Sequence, residues 1–148
     1  MPALDLTVQG LGRFATLPAR ATLARWIAAA LERDAELVLR FVGASEGRRL
    51  NRNFRGRDYA TDVLTFDYVQ SPRVQADIVI CPPAVRRAAR ERGLPFRWHL
   101  AHLVVHATLH AQGYEHGRAT AARKMEAREV EILARLGVGD PYTAAQGS

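Results

Sequence analysis

The sequence predicts an α+β domain with helices packed on a four-stranded mixed sheet. Three observations predict it. Strand-like runs and helix-like periodicity alternate through the first half, two β-type runs adjoin with no helix between them, and three helical segments follow, in the order β-α-β-α-β-β-α-α-α. A chain of 148 residues with 48% hydrophobic content suits a single domain, 1–148, able to bury a sizeable core.

Residues 4–9 (LDLTVQ) alternate enough for a strand, and 18–33 (PARATLARWIAAALER) set a proline before helical apolar spacing. ELVLRFV, 36–42, reads as a second strand from its β-branched and aromatic content. SEGRRLNRNFR, 45–55, reads as a helix with Ser45 as candidate cap and Leu50 and Phe54 paired at i, i+4. TDVLTFDY, 61–68, and ADIVIC, 76–81, flank a turn at Ser71 and Pro72 and are stopped by Pro82 and Pro83, so they are expected to pair as a ribbon. Helices are expected over 83–92, 96–111 and 118–136, ended by Gly93, Gly113 and Gly137, with 139–148 as a frayed tail.

The net charge of +6 and pI of 10.4 favour polyanionic partners, nucleic acid first, because each neutralised phosphate releases counterions. All basic residues but Lys124 are arginine, which forks onto phosphate, although arginine richness can also reflect genome composition. The opening MPALDLTVQG has neither region of a signal peptide, and no run of apolar residues is long enough for a span. A cytoplasmic protein that does not enter membranes is therefore expected. Cys81, the only cysteine, excludes an intramolecular disulfide and reads as a buried strand residue.

All histidines fall in WHLAHLVVHATLHAQGYEH, from Trp98 to His116. Four helical residues turn through about 400°, so His106 and His110 project from one face a turn apart and can reach one metal ion. A continuing helix would carry His116 about 15 Å beyond His106, whereas zinc–nitrogen bonds are about 2.0–2.1 Å, so the helix must stop. Gly113 can stop it by adopting the left-handed conformation that sends the chain back. His-x-x-x-His-x-x-Gly-x-x-His thus offers three neutral nitrogen donors and leaves a fourth tetrahedral position open, as in a catalytic zinc site. Any one such histidine is more commonly a satisfied core or surface residue; three at this spacing with the glycine point to one zinc per chain. A fourth ligand would close the site, so His99 and His102 are read as packing residues or as supports behind the ligands.

The spacing is that of metzincin metalloproteases, HExxHxxGxxH, and suggests a zincin-like domain with its metal-binding helix in the C-terminal third. The glutamate that serves those enzymes as general base is here Ala107, although Glu115 beside His116 is a conceivable substitute. Phosphodiester cleavage instead asks for a metal and an arginine to stabilise charge on phosphoryl oxygens. Arg48, Arg52 and Arg55 recur on one helical face opposite Leu50 and Phe54, with Arg49 and Arg57 nearby. From spacing alone this is more simply a solvated face, as is a second cluster, Arg86, Arg87, Arg90, Arg92 and Arg97. Asp62 is read as orienting a ligand histidine or a backbone loop, or equally as a cap. Glu126 and Glu129 are read as sitting on an exposed or ion-paired helix face.

HATLHAQGYEH (His106 to His116) resembles the hallmark of the YbeY family of bacterial rRNA maturation factors, His-Gly-x-Leu-His-Leu-x-Gly-Tyr-Asp-His. LNRNFRGRDYATDVLTF, ADIVI and MEAREVEIL resemble further family blocks, together covering about residues 35–137 in order. The resemblance implies a zinc-dependent endoribonuclease for single-stranded RNA, with His106, His110 and His116 as ligands and Arg55 as the arginine needed for activity. Asp62, Glu115, Arg52 and Arg57 are the candidates for support behind the metal or for RNA contact. It implies precursor rRNA as partner, with cleavage at the 3′ end of small-subunit rRNA and a role in quality control; small-subunit proteins or an assembly GTPase are further candidates. Ala107, Ala111 and Glu115 depart from the usual glycine, leucine and aspartate, and the first is expected to crowd the metal cavity by a methyl. Two other classes stay open: a binding protein whose zinc only staples the fold, and a peptidase or amidohydrolase.

Overall fold

Alternation along the strands turns one set of side chains inward. The computed structural model describes residues 1–142, in the order β1 (Leu4–Gln9), α1 (Arg20–Ala30), β2 (Ala35–Phe41), α2 (Ala44–Arg55), β3 (Val63–Val69), β4 (Val74–Ile80), α3 (Pro82–Arg92), α4 (Phe96–Ala111) and α5 (Ala119–Arg135). β2 buries Ala35, Leu37, Leu39 and Phe41 and turns Glu36, Val38 and Arg40 outward; β4 buries Val74, Ala76, Ile78 and Ile80 on the same face. The sheet order is β1-β2-β4-β3, parallel except for the antiparallel β3–β4 ribbon. The expected mixed sheet and element order are therefore found.

The inner face of the sheet carries the main core, and α4 runs through it. This helix is apolar nearly all round, which suits only a buried helix: Leu100, Ala101, Val104, Val105 and Leu109 are fully enclosed. Each large side chain so buried contributes about 1.5–3 kcal/mol. α4 packs on α1, α3, α5, β3 and β4, which fixes the helix that bears the histidines. The outer face is covered only in part. There α2 lays Leu50 against a small cluster that includes Val42, Leu64, Val79 and Cys81.

Four details differ from expectation. α1 ends at Ala30 because Gln112, at the end of α4, donates to the Ala30 carbonyl at 2.8 Å and accepts from the Glu32 N–H at 2.7 Å. This distant side chain satisfies the helix terminus, a contact that local spacing cannot reveal. Ser45 is not the cap of α2: Gly43 holds that position without a side-chain bond, and the Gly43 carbonyl receives the Gly47 N–H at 2.9 Å. Phe54 is 64% exposed rather than buried beside Leu50, its ring meeting Phe66 edge to face at 4.8 Å. Finally, of the tail expected to fray, residues 143–148 lie outside those described, but Tyr142 is packed against α4 and α5. Cys81 is buried as expected, just past β4 at the start of α3, and burial pushes its thiol pKa up.

Gly10, just past β1, has φ +81°, and a Cβ there would lie 2.4 Å from the Phe41 carbonyl oxygen. Gly10→Ala should therefore destabilise the fold by about 1–3 kcal/mol. In urea titration this appears as a lower midpoint with unchanged slope. Gly12→Ala, whose Cβ would meet nothing within 4 Å, serves as the control.

Candidate metal centre

The site begins with the way α4 stops. Gln112 ends the helix, Gly113 takes φ +105°, the Gly113 N–H donates to the His110 carbonyl at 3.0 Å, and the Tyr114 N–H donates to the Leu109 carbonyl at 3.2 Å. This paired closure turns the chain back along the helix it has just left. His116 consequently stands beside the two helical histidines: its ring centroid lies 5.3 Å from that of His106 and 5.8 Å from that of His110. The three rings share a cavity of about 480 Å³ with Arg55, Asp62 and Phe54. Residues from α2, β3 and its approach, and α4 with its returning loop line it.

Hydrogen bonds decide which nitrogen His110 and His106 leave free. His110 donates from Nδ1 to the Tyr114 carbonyl at 3.2 Å, because a carbonyl can only accept, and this leaves Nε2 as its lone-pair nitrogen. His106 Nδ1 lies 2.5 Å from Glu129 Oε2 and donates to that carboxylate, again leaving Nε2 bare. Burial first, then positive charge on His106 or His110 whenever either is protonated and, more weakly, the charge of Arg55, lower the pKa of His116 and favour its neutral form. Arg55 is thus near enough for its field to act on this ring.

Behind the rings, Glu129 is fully buried on α5. It accepts from His102 Nε2 at 2.9 Å, from His106 Nδ1 and from the Tyr142 hydroxyl. Burial alone would raise its pKa, but the bonds and charges of His102 and His106 outweigh that and pull it down from 4.5 to about 2. Tyr142 shifts the opposite way, its hydroxyl pKa raised by burial and by Glu129. His102, His106 and Glu129 also place one ligand atom each within 4.8 Å of one another, a group that could hold a metal ion. An ion there would have to displace the hydrogen bonds that now occupy those atoms. Its surroundings are also enclosed, whereas a catalytic metal keeps one position open.

Of the residues expected at the site, His106, His110, His116, Arg55 and Asp62 come together in one cavity. Asp62 does not orient any of those three histidines; its Oδ2 meets His99 Nε2 at 3.3 Å, and the bond from His99 helps to lower its pKa against the upward push of burial. Glu115 lines a separate cleft with Glu32, Arg33 and Tyr114, because the turn at Gly113 points it away from the rings. Arg52 stands 3.9 Å from Asp58, which Arg48 grips with two bonds of 2.8 Å, while Arg57 is exposed past the end of α2. Ala107 and Ala111 are buried in the core and do not line the cavity, so the expected crowding by a methyl does not arise.

Two residues were misread. Glu129 is not exposed: it pairs with His102 and His106 from the apolar stripe of α5, fully buried with Met125, Ile132 and Leu133. A charge on that stripe is the signal that could have found it, since a buried carboxylate needs donors. Tyr142, in a stretch without periodicity, carried no such signal.

A mixed sheet and a buried central helix ending in a histidine cavity define an α+β domain built around a metal-capable cluster. A sequence model described as Endoribonuclease YbeY matches residues 15–137, and the chain belongs to the YbeY family. An "Endoribonuclease YbeY" of Acidovorax sp. (strain JS42) is 56% identical over 131 residues, covering 88% of this chain and 86% of the relative. Another, of Polaromonas naphthalenivorans (strain CJ2), is 54% identical over 148 residues, covering 95% and 97%. A Thermotoga maritima protein solved in solution matches with TM-score 0.59 and 26% identity over 88% of this chain and 91% of that one.

Loss of the Glu129 bond should let the His106 ring turn. Glu129→Gln is expected to weaken divalent-metal affinity about 10- to 100-fold, and Tyr142→Phe by a smaller factor, in chelator competition; wild-type affinity in Glu129→Gln would remove its orienting role. Because the pKa of Glu129 is lowered on folding, its ionisation stabilises the apo chain fully above about 4.5 and ceases to do so as pH falls through about 2. The stability difference between wild type and Glu129→Gln should therefore shrink over that window in acid unfolding.

Proposed function

We propose that this chain is a zinc-dependent endoribonuclease that cuts single-stranded RNA in ribosomal RNA maturation, at the 3′ end of small-subunit rRNA, and in ribosome quality control. In this reading His106, His110 and His116 hold one zinc ion per chain and Arg55 is the catalytic residue that contacts the phosphate. The observation that carries it is the shared cavity. Three imidazoles converge there, two of them with Nδ1 bonded and Nε2 bare, and Arg55 lines the same space. The family's name supports the ribonuclease activity, and the net charge of +6 supports a polyanionic substrate.

Zinc, when bound, supplies Lewis-acid polarisation of a phosphoryl oxygen and lowers the pKa of a coordinated water toward 7. The remaining work falls to the chain's own residues. Glu129 and the Tyr114 carbonyl keep the two helical rings in register, and the depressed pKa of His116 keeps its ring a donor of electrons. Arg55 neutralises charge that develops on the scissile phosphate. Among the described residues lining the cavity, Asp62 is the one carboxylate, and its lowered pKa with one oxygen engaged by His99 makes it a weak general base. This weighs against the peptidase reading. The proposed location is the cytoplasm, consistent with the absence, among the described residues, of any helix long and apolar enough to cross a membrane. Small-subunit proteins or an assembly GTPase are the proposed further partners.

Metal content and cleavage of single-stranded rRNA precursors, measured together, test the assignment. His116→Ala and His110→Ala should lose zinc and activity, and Arg55→Ala should keep zinc while losing activity by about a hundredfold or more. His102→Ala should keep measurable zinc binding; loss of zinc there with retention in His116→Ala would move the ion to the His102–His106–Glu129 group. Equal cleavage traces in every variant would favour an RNA-binding assembly factor. One 2′-deoxy sugar at the scissile position separates attack by water, which persists, from attack by the RNA's own hydroxyl, which stops.

A further inference from the structure

The histidine cavity has a neighbour. On the outer face of the sheet, beside Leu50, lies a groove of about 370 Å³ floored by Val38, Val79 and Asp77 and walled by Phe54, Phe66 and Tyr68. Phe54 and Phe66 also line the histidine cavity, so the two spaces share a wall and a chain leaving one passes that wall into the other. Phe54 and Tyr68 are each 64% exposed, more than any other phenylalanine, tyrosine or tryptophan among the described residues. Exposed rings beside a cleft are a solubility liability unless something covers them.

These rings are held in place. Phe54 meets Phe66 at an interplanar angle of 70°, and the Tyr68 hydroxyl donates to Asp77 Oδ2 at 2.8 Å. Phe66 and Tyr68 are two residues apart on edge strand β3, about 6.6 Å along it, and the register of β3 against β4 shifts between Asp67 and Val69. The floor is unsuited to phosphate: Asp77 is a carboxylate, and Arg40, the cation in the groove, is paired with Glu46. Apolar surface, aromatic faces and hydrogen-bond acceptors instead match nucleobases, which stack by their faces and carry N–H donors on their edges. Of the α2 arginines, Arg55 lines the adjoining histidine cavity, where the phosphate of a strand stacked in the groove would lie.

We propose that this outer-face groove is a base-stacking platform for single-stranded RNA, with Phe54 taking the base nearest the cleaved phosphate and Tyr68 the next one outward. The proposal rests on the ribonuclease reading and deepens it, since it explains selection of single strands. A duplex keeps its base faces buried in its own stack and cannot use the rings.

Steady-state kinetics and fluorescence anisotropy on labelled oligoribonucleotides, the latter read before cleavage accumulates, test it with zinc-loaded full-length protein. Phe54→Ala and Tyr68→Ala should each raise KM and Kd about tenfold with zinc content little changed. Phe54→Trp and Tyr68→Phe, which keep a ring, should restore binding. An abasic nucleotide beside the scissile phosphate should cost wild type about tenfold in Kd but add little in Phe54→Ala, because the partner of the base is already gone. Wild-type Kd in both alanine variants, or an abasic penalty equal in wild type and Phe54→Ala, overturns the platform while the nuclease stands. A wild type that neither binds nor cuts single-stranded RNA overturns the nuclease reading and the platform with it. A wild type that binds without cutting, with the variant pattern above, sinks the nuclease alone.

Discussion

A carboxylate removed from water costs several kcal/mol unless donors replace the water, and Glu129 is removed completely. His102, His106 and Tyr142 supply those donors, so the bonds that make the burial tolerable also hold a ring of α4 and a residue near the C-terminus. The packing of α5 on α4 and the orientation of His106 are therefore one constraint. Because α4 is buried nearly all round, the helix cannot rotate to relieve a misplaced ring; correct geometry at the cavity follows from correct packing of the core.

Arrest of α4 completes what Glu129 begins. Gln112 binds the end of α1, Arg33 donates to the Gln112 carbonyl at 2.7 Å, and Gly113 next to it makes the turn that returns His116. The Tyr114 carbonyl released by that turn then accepts the proton of His110 Nδ1. One short segment thus caps two helices, supplies one ring and fixes the tautomer of another, so change there would disturb fold and site together.

Much of this was legible because it is local. Helical spacing puts His106 and His110 on one face, a glycine three residues on permits the reversal, and every strand and helix appears within a few residues of where periodicity sets it. What was illegible depends on contacts between distant segments. Gln112 shortens α1 across 82 residues of sequence, and Tyr142 reaches Glu129 from a stretch with no pattern of its own. Phe54 misled because i, i+4 pairing with Leu50 implies a common buried face, whereas α2 overhangs the edge of its small cluster and leaves that ring exposed. Glu129 was misread by type: a glutamate on a late helix is usually solvated, and only its place on the apolar stripe argues otherwise.

The replacement of a protease's glutamate by Ala107 gains meaning from its position. Ala107 lies in the main core, fully buried and away from the cavity lining, so this helix does not present position 107 to a substrate. A longer acidic side chain there would face an unpaired burial cost rather than a water molecule. The open side of the cavity is instead formed by Arg55 of α2 and by β3, elements outside the histidine motif. In the proposed site, three neutral nitrogen donors would leave the charge of a bound divalent cation undiminished, and a guanidinium shares the space. Such a field acts most strongly on a group that is already anionic and becomes more so during reaction, as a phosphodiester does. The same spacing of histidines can thus serve two chemistries, and the residues outside the motif decide between them.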